Sequence, residues 1–390
     1  MKFTEYVEVN PKTNLKKGEY APFVEMANVS ITYREPEKIE NKKYTSGPKF
    51  QNGDSVVARI EPCLQNGKKF FWKSDKIGFG STEYIVFRAK EGKMDSKYLF
   101  YLLKTDYIKK SMVSSMVGAT GRQRVNNDIF GQIEIVVPNI EKQKKIGRTL
   151  FLYDDLIENN RRQSKLLVEA AQRLYKERFV NLRFPGHENT KIVDGVPEGW
   201  NWCKLEDAIQ LDPKVTLTKE RMKQFIPMSA LSTASMVLDE SQFTETTSNS
   251  GSKFQNGDTL LARITPCLEN GKTAYVSGLK SDEGAVGSTE YIVMRAKTIN
   301  SYMVYLLART DDFRQSAINS MSGSDGRQRV KSDKLKMLDY LHPTSELVEK
   351  FENVEEPIFE KIYRLSEQMQ QAKQARDLLL PKLMRGEVEV

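Results

Sequence analysis

Hydrophobic side chains recur at alternating steps of four and three residues in two long stretches of the chain. The first stretch runs from about residue 141 to 179, and the second begins near Ser345. This spacing is typical of a helix that buries one seam of a coiled coil. At about 1.5 Å per residue, nearly forty residues would extend roughly 55 Å. Each helix needs a partner along its seam, and we predict that the two helices pair with each other.

The predicted seam positions of the first helix are Ile146, Leu150, Tyr153, Ile157, Leu167, Ala171 and Leu174. Those of the second helix are Phe351, Val354, Ile358, Ile362, Leu365, Met369, Ala372, Leu379 and Leu383. Asn160 and Ser164 also fall on the first seam, where a buried polar residue can set the register of pairing. A loosened, solvated turn explains them equally well. Pro357 interrupts the second helix, so we predict a break or a kink there, because an interior proline costs about 3 kcal/mol.

A long internal repeat organises the remainder of the chain. KFQNGDSVVARIEPCLQNGKK at 49–69 recurs as KFQNGDTLLARITPCLENGKT at 253–273, an offset of 204 residues. GSTEYIV and GRQRV recur likewise, the latter beginning at 121 and at 326. One unit, a globular head followed by a long helix, is therefore used twice. The heads differ most between 29–47 and 231–251, and we interpret these divergent segments as surfaces that distinguish two targets.

Each head combines strand signals with helical ones. Short β-branched segments bounded by turn residues predict strands at SVVARI, EYIVFRA and GQIEIVVP, whereas residues 95–116 show helical spacing. The fold class is therefore α+β, with two similar mixed α/β domains, each followed by a long helix, and the helices paired as an antiparallel coiled coil. The predicted segments are a first domain at 1–138, a first long helix at 139–180, a linker at 181–196, a second domain at 197–343, and a second long helix with a tail at 344–390.

Composition narrows the class of partner. A net charge of +8 and a pI near 9.0 indicate an anionic partner, with nucleic acid the first candidate and a membrane surface the second. No apolar run approaches the roughly 20 residues that span a bilayer. Three cysteines and two histidines provide neither a disulfide framework nor zinc-ligand spacing. We expect a cytoplasmic protein with reduced, structural cysteines and no metal.

The repeated loop GRQRV carries the first group of candidate DNA-binding residues. A glycine-flanked loop can bring backbone amides and guanidinium groups close to phosphates or base edges. The alternative is that its arginines form structural salt bridges. The candidates in this loop are Arg122, Gln123, Arg124, Arg327, Gln328 and Arg329.

A second group of candidates lies in the repeated ARIxPCLxNGK segment, where a strand leads into a turn. The candidates are Arg59, Lys68, Lys69, Arg263 and Lys272. Contact with phosphate and a merely solvated hairpin explain this segment almost equally well. Glu83 and Glu290, in the repeated GSTEYIV segment, are expected to pair with an arginine of the same head.

The sequence lacks residues that common catalytic motifs require. NGKT at 270–273 resembles the end of a phosphate-binding loop, but Pro266 stands where GxxxxGK[ST] requires its first glycine. No HExxH occurs, and two histidines leave little for acid–base catalysis at neutral pH. The proline-rich catalytic tetrapeptide of amino-methylating DNA methyltransferases is also missing from the sequence. We therefore expect a chain without catalytic residues.

The duplicated plan resembles a known family. VPEGWNWCKLEDA at the start of the second head, the GSTEYIV and GRQRV segments, and the terminal LLLPKLMRGEV are together similar to specificity subunits of Type I restriction-modification systems. The resemblance covers essentially the whole chain. The first head lacks the PEGW entry, which leaves the start of that head undefined.

The resemblance implies that each head binds one half of a split site in double-stranded DNA, while the helices set the spacing between the halves. It also implies two modification subunits, which bind S-adenosylmethionine, and restriction/translocase subunits, with ATP and Mg on the partners and no cofactor on this chain. The alternatives are a self-sufficient DNA methyltransferase or nuclease, which needs a cofactor or metal site, and a coiled-coil scaffold without a DNA role.

Overall fold

The computed structural model describes residues 1–324 and 326–389. Asp325, in the second copy of the GRQRV-containing loop, and Val390, in the predicted tail, lie outside the described residues. The chain divides into two compact units, of which unit 1 comprises Met1–Asn160 with Gln368–Val390 and unit 2 comprises Arg161–Glu367. Each unit thus contains one head together with segments of both long helices. The predicted domain boundaries follow the order of segments along the sequence and stay a prediction.

The head of unit 1 contains two four-stranded sheets. Its strands are β1 (Val7–Val9), β2 (Tyr20–Val24), β3 (Glu40–Lys43), β4 (Lys49–Phe50), β5 (Ser55–Ala58), β6 (Lys69–Phe71), β7 (Gly78–Gly80), β8 (Tyr84–Ala89), β9 (Met116–Val117) and β10 (Arg124–Val125). The first sheet has the order β1-β8-β5-β6 and is antiparallel throughout. The second has the order β3-β2-β7-β4, with β2 parallel to β7. The short strands β9 and β10 form a separate hairpin.

The strands predicted at SVVARI and EYIVFRA are confirmed as β5 and β8, which pair with Val56 opposite Val86. Both strands are buried on two faces, because one side of the sheet packs on aromatic residues of the second sheet and the other on the head's helices. The predicted helical stretch at 95–116 forms two helices, α1 (Ser96–Leu102) and α2 (Asp106–Ser114). Thr105 has extended backbone and is the N-cap of α2, so the chain turns between them.

The head of unit 2 repeats this plan. Its elements are β11 (Ile192–Val193), β12 (Val196–Pro197), β13 (Asn201–Lys204), α4 (Leu205–Ala208), β14 (Ile209–Leu211), β15 (Lys223–Ile226), β16 (Thr244–Thr246), β17 (Ser252–Phe254), β18 (Thr259–Ala262), β19 (Thr273–Tyr275), β20 (Ala285–Gly287), β21 (Tyr291–Ala296), α5 (Ser301–Ala308), α6 (Asp311–Asn319), α7 (Ser332–Lys336) and β22 (Asp339–His342). The sheets β14-β21-β18-β19 and β16-β15-β20-β17 match those of unit 1 strand for strand. The internal repeat is therefore a structural repeat.

The strand predicted at GQIEIVVP is wrong for the first head. The segment is extended, but it makes only one isolated bridge, between Lys2 and Glu134, with backbone bonds from Phe3 to Ile133 and from Ile135 to Met1. In unit 2 the corresponding β22 pairs over four residues with β13. The bridge between Lys2 and Glu134 corresponds to the pair of Lys204 with Asp339, and in both units a helical turn begins at the next residue, Phe3 or Leu205.

The long helices occupy the predicted positions. They are α3 (Ile140–Tyr175), which continues as a π-helical turn at Lys176–Val180, and α8 (Ser345–Arg385). Of the two alternatives predicted at Pro357, the break is wrong, because α8 runs through this residue, and the kink stays a prediction. Both Pro357 and Asn353, whose carbonyl loses its helical partner there, are exposed on the helix surface, where water can satisfy that carbonyl.

Within each unit the helix seam is continuous with the core of the head. In unit 1, Ile146, Leu150 and Leu383 share one hydrophobic cluster with the residues of α1 and β8. In unit 2, Tyr175 and Phe351, whose ring centroids are 6.1 Å apart, share one hydrophobic cluster with the residues of α5 and β21. The head and the helices therefore fold as one unit on each side.

A glycine allows close docking of the first head onto α3. A Cβ atom added at Gly147 would lie 2.7 Å from Asp95 Oδ1 and 2.8 Å from the backbone nitrogen of Tyr98. Asp95 caps α1, and its own backbone nitrogen donates to Gln143 of α3 at 3.0 Å. The start of α1 thus touches the backbone of α3, which only glycine permits.

Candidate nucleic-acid interface

The first GRQRV loop lies at the tip of the β9–β10 hairpin. Its backbone is anchored to the ARIxPC segment, since Val125 donates to the Arg59 carbonyl at 3.0 Å and Glu61 donates to the Gln123 carbonyl at 3.0 Å. Gly118 and Gly121 adopt positive φ, at 121° and 79°, which lets the loop turn tightly. The second loop has the same anchors, from Val330 to Arg263 and from Thr265 to Gln328.

An arginine of each loop forms an ion pair with a glutamate of the same head. Arg124 donates to both carboxylate oxygens of Glu83 at distances of 2.8 to 3.0 Å, and Arg329 does the same to Glu290 at 2.7 to 2.9 Å. The expected pairing of Glu83 and Glu290 with arginines is confirmed. The hydrogen bonds from Arg329 lower the pKa of the Glu290 carboxyl. The pairs remain partly open to solvent, so each holds its loop in place at the surface.

A second arginine of each loop is exposed beside these pairs. Arg122 and Arg327 are exposed, and within residues 1–324 and 326–389 no hydrogen bond or ion pair engages their guanidinium groups. Gln123 donates weakly to the Gly118 carbonyl, at 3.4 Å, and Gln328 is half-buried. Among the described residues, each loop therefore presents one exposed cation, Arg122 or Arg327, beside one clamped cation. Arginines at a surface are available for contacts with phosphates or base edges.

The lysines of the repeated ARIxPCLxNGK segment donate to backbone carbonyls of their own head. Lys68 donates to the Met26 carbonyl at 2.8 Å, and Lys272 makes the equivalent bond to Met228 at 3.0 Å. Both ammonium groups thereby anchor a neighbouring 3-10 turn. These contacts use one donor of each ammonium group, and the predicted DNA contact of these lysines stays untested.

Three further cations of this segment, Arg59, Arg263 and Lys69, have side chains that are partly buried within their own head. Arg59 donates to the Val125 carbonyl at 3.2 Å, and the Nε atoms of Arg59 and Arg263 are buried. Lys69 donates to the Leu103 carbonyl at the end of α1, at 2.9 Å. Burial lowers the pKa of Lys69 to about 7, with smaller contributions from Lys104 and Lys109. A phosphate contact at these three residues stays a prediction.

The divergent segments contain an exposed edge strand in each head, β3 in unit 1 and β16 in unit 2. In β3, the ammonium group of Lys42 lies 4.4 Å from the Phe23 ring centroid, and that of Lys43 lies 5.5 Å from the Tyr20 centroid. The sequence Thr-Glu-Thr of β16 offers hydroxyl and carboxylate groups instead. The two edges differ in charge as well as in sequence.

Sequence reasoning missed the basic edge of β3. Lys38 and Lys42 flank Glu40 at 2.8 and 2.7 Å, and their hydrogen bonds lower the pKa of the Glu40 carboxyl to about 2. Lysines that alternate with aromatic rings on an exposed edge form a surface suited to a nucleic-acid backbone. The signal was present as ENKKY, inside the segment that differs most between the heads.

The predicted seam residues lie where the long helices meet each other and the heads. Those that are buried are Ile146, Leu150, Ile157, Ala171, Phe351, Ile362, Leu365, Ala372 and Leu383. Those that are half-buried are Tyr153, Leu167, Leu174, Ile358, Met369 and Leu379. Val354 instead is exposed.

Polar residues on the seam have defined surroundings. Asn160 is buried and donates to Gln368 at 3.0 Å, which favours the register interpretation over a solvated turn. The Ser164 hydroxyl is buried without a hydrogen-bond partner among the described residues.

A buried ionic cluster lies deeper in unit 1. Asp154 pairs with Arg376 and accepts from the Tyr101 hydroxyl at 2.5 Å, with the Lys104 ammonium 4.0 Å away. Burial alone raises the pKa of the Asp154 carboxyl, but Lys104 and Arg376 outweigh it and hold the pKa below its usual value. Asp154 and Arg376 lie 222 residues apart in sequence. Their contact joins α3 to the end of α8.

Two further findings concern metal binding and membrane spans. Within the described part of the chain, no group of three or more histidine, cysteine, aspartate or glutamate residues has metal-binding geometry. No helix in that part is long and apolar enough to cross a bilayer.

The chain is similar to proteins of known function. Residues 7–169 match the model of the Type I restriction modification DNA specificity domain. The chain is 26% identical over 305 residues to the Type I restriction enzyme MjaIX specificity subunit of Methanocaldococcus jannaschii, covering 76% of this chain and 69% of that protein. It is 35% identical over 140 residues to the EcoAI specificity subunit of Escherichia coli, a match that covers 35% of this chain and 24% of the relative.

The fold has a counterpart among solved structures. The S subunit of a Type I restriction-modification system from M. genitalium matches 98% of this chain with a TM-score of 0.59 and 14% identity, covering 95% of that subunit. Residues 7–169, which span the first head and most of α3, thus match a Type I restriction modification DNA specificity domain. The chain as a whole is similar to the specificity subunits of Type I restriction-modification systems.

Proposed function

We propose that the chain is the DNA-recognition subunit of a Type I restriction-modification complex, in which each head binds one half of a bipartite site. The observation that carries this proposal is the duplicated loop. Each head presents an exposed arginine, Arg122 or Arg327, beside a clamped one, Arg124 or Arg329. Phosphate contacts from such loops would position the heads, while the divergent edge strands β3 and β16 would read base edges.

The candidate DNA-binding set comprises the loop residues and the more buried cations. Arg122, Arg124, Arg327 and Arg329 are the residues that we expect to contribute most, because their side chains reach the surface. Gln123 and Gln328 would add hydrogen bonds to bases or phosphates. A smaller, indirect contribution is expected from Arg59, Lys68, Lys69, Arg263 and Lys272, which hold the loops and turns in position.

The long helices would set the number of unread base pairs between the half-sites and would hold the partner subunits. Two modification subunits, which bind S-adenosylmethionine, and restriction/translocase subunits, which use ATP and Mg, would supply the chemistry. This chain would contribute recognition and no catalytic residue, and the complex would act on DNA in the cytoplasm. Leu152, Leu156 and Leu378 are exposed on the helix surfaces and are candidates for contacts with these partners.

Methylome sequencing tests the proposal directly. The chain is expressed with its modification subunit in a host that lacks DNA methylation, and the modification subunit alone is the control. We expect a bipartite methyladenine motif that appears only when this chain is present. If both proteins are folded and associated and no new motif appears, the chain does not supply specificity.

A further inference from the structure

The two long helices correspond residue by residue at an offset of 205. This offset relates the two GRQRV loops and also relates Pro138, before α3, to Pro343, before α8. Several seam positions carry similar residues at this offset, for example Ile157 and Ile362, which are both buried. Other positions differ in polarity, as Asn160 and Leu365 do, and in two layers a charged residue replaces an apolar one.

The first exceptional layer is charged in unit 1 and apolar in unit 2. Asp154 is 1% exposed and pairs with Arg376. Their counterparts are Phe359 and Ala171, which are both buried in the apolar core of unit 2. One layer thus has opposite character in the two units.

The second exceptional layer is charged in unit 2 and apolar in unit 1. Glu355 is fully buried, and its carboxylate oxygens have no hydrogen-bond partner among the described residues, so the charge of the half-buried Arg178 is the interaction that favours the ionised carboxylate. Their counterparts, Leu150 and Leu383, both lie in the core of unit 1. The two charged layers therefore occupy different positions along the seam.

We propose that these two layers restrict pairing to one first helix with one second helix, and so exclude the pairing of like halves from two copies of the chain. If two α3 helices paired antiparallel in the same register, Asp154 would face Ala171. In the same dimer, Arg178 would face Leu150. Asp154 would lose Arg376 and keep only Tyr101 and Lys104 of its own head. The half-buried Arg178 would lose Glu355, and the symmetry of the dimer would repeat each mismatch.

The pairing of two α8 helices meets the same obstacle. Arg376 would face Phe359, and Glu355 would face Leu383. An uncompensated buried charge is strongly destabilising, whereas a paired one is tolerated. Polar residues at single seam positions are an effective means of selecting a partner at some cost in stability. Among these pairings, only that of α3 with α8 brings Asp154 to Arg376 and places Glu355 where the charge of Arg178 acts on it.

The consequence for DNA recognition rests on the proposed function. A chain that closes on itself always presents one first head and one second head, and therefore two different half-sites. A dimer of like halves would present the same head twice. Pairing itself can be measured without DNA, so failure of the proposed function would leave this inference intact, and the reverse also holds.

The test uses the full chain, cleaved after folding. A protease recognition site is inserted after Asn189, which is exposed in the segment between the two halves. The folded chain is cleaved, and circular dichroism verifies that the complex remains folded. After long incubation, native mass spectrometry separates mixed pairs from pairs of like halves by mass. For the wild-type layers we expect mixed pairs in about a tenfold or greater excess over like pairs.

Variants that make the seam symmetric should lose this preference. The substitutions D154F/R376A give unit 1 the apolar layer of unit 2, and R178L/E355L give unit 2 the apolar layer of unit 1. We expect each double variant to show more like pairs than the wild type, and the quadruple variant to approach a statistical mixture. The control I157V/I362V shortens the apolar residue that stands at the same repeat position in both helices, and it should keep the wild-type excess.

Two results would overturn the proposal. One is a statistical mixture from the cleaved wild-type chain. The other is an undiminished excess of mixed pairs in the folded variants. Because each double variant is measured separately and the wild-type result stands alone, misfolding of one variant does not remove the test.

Discussion

Arg124 donates to both carboxylate oxygens of Glu83, 41 residues earlier in the chain, and Arg329 repeats this contact with Glu290. The clamp ties the tip of a hairpin to the end of a buried sheet. It explains why the segments GSTEYIV and GRQRV both recur in the two heads. The recurring arginine therefore has a structural role in addition to the proposed role at DNA.

Arg122→Ala should weaken DNA binding through lost charge. Each phosphate contact contributes about 0.9 to the slope of log affinity against log salt, so we expect the slope to fall by about that amount. The same is expected for Arg327→Ala. Titrations of the assembled complex at several salt concentrations measure the slope. Arg122→Lys, which keeps the charge, is the matched control, and an unchanged slope in the alanine variant would remove Arg122 from the interface.

Arg124→Ala should weaken DNA binding without unfolding the chain. The substitution frees Glu83 and adds a net negative charge beside the loop, while the exposed ion pair contributes little to stability. Arg329→Ala should behave alike. Affinity for DNA and the thermal unfolding midpoint are measured together. Wild-type affinity in a folded, partner-bound variant would contradict the prediction, and Glu83→Gln shows how much of the effect comes from the clamp alone.

Lengthening both helices should widen the recognised site. Seven residues, two helical turns, inserted after Asn160 and again after Glu367 add about 10 Å, or about three base pairs at roughly 3.4 Å each. An insertion of seven keeps the seam in phase. Methylome sequencing should report the same two half-sites with a longer gap. The original gap in a folded variant would show that the helices do not set the spacing.

Asp154→Ala should destabilise unit 1 by up to about 3–5 kcal/mol, because it leaves the buried Arg376 with only the half-exposed Asp377 as an ion-pair partner. Denaturant unfolding at pH 7 measures the loss, and D154A/R376A should recover part of it. The pKa of Asp154 is lowered in the folded state, so its contribution is present above the unfolded pKa and declines as pH falls through the folded pKa. The difference between wild type and variant should therefore shrink in acid.

Glu355→Gln should stabilise the chain at alkaline pH. Burial raises the pKa of the Glu355 carboxyl to about 7, although Arg178 opposes the rise. Because the folded pKa is raised, wild-type stability is lost as pH increases from the unfolded value to about 7. We expect the variant to be more stable by about 2 kcal/mol at pH 8 and nearly equal to wild type at pH 5. Parallel unfolding curves at the two pH values test this, and a gain independent of pH would contradict it.

The sequence predicted the large features because they depend on periodic patterns. Apolar spacing located α3 and α8 to within a few residues, and the repeat of about 205 residues identified two like heads. The expectation that Glu83 and Glu290 pair with arginines also followed from residues that recur together. The break predicted as one alternative at Pro357 is wrong, because solvent exposure lets the helix continue, and the strand predicted at GQIEIVVP is wrong, because the segment forms only one isolated bridge.

The sequence by itself determined the duplicated α+β plan, the two long helices and the basic surface loops, since these arise from local periodicity and from self-similarity. Only the tertiary structure decided which polar residues are buried together. In the sequence, Asp154 and Arg376 are two of many charged residues on amphipathic helices. The antiparallel pairing of the helices brings them into contact in one layer. Glu355 and Leu150 occupy the same position in the repeat, yet only the fold shows that both are fully buried. Burial and partner choice depend on contacts more than 200 residues apart, which no local pattern encodes.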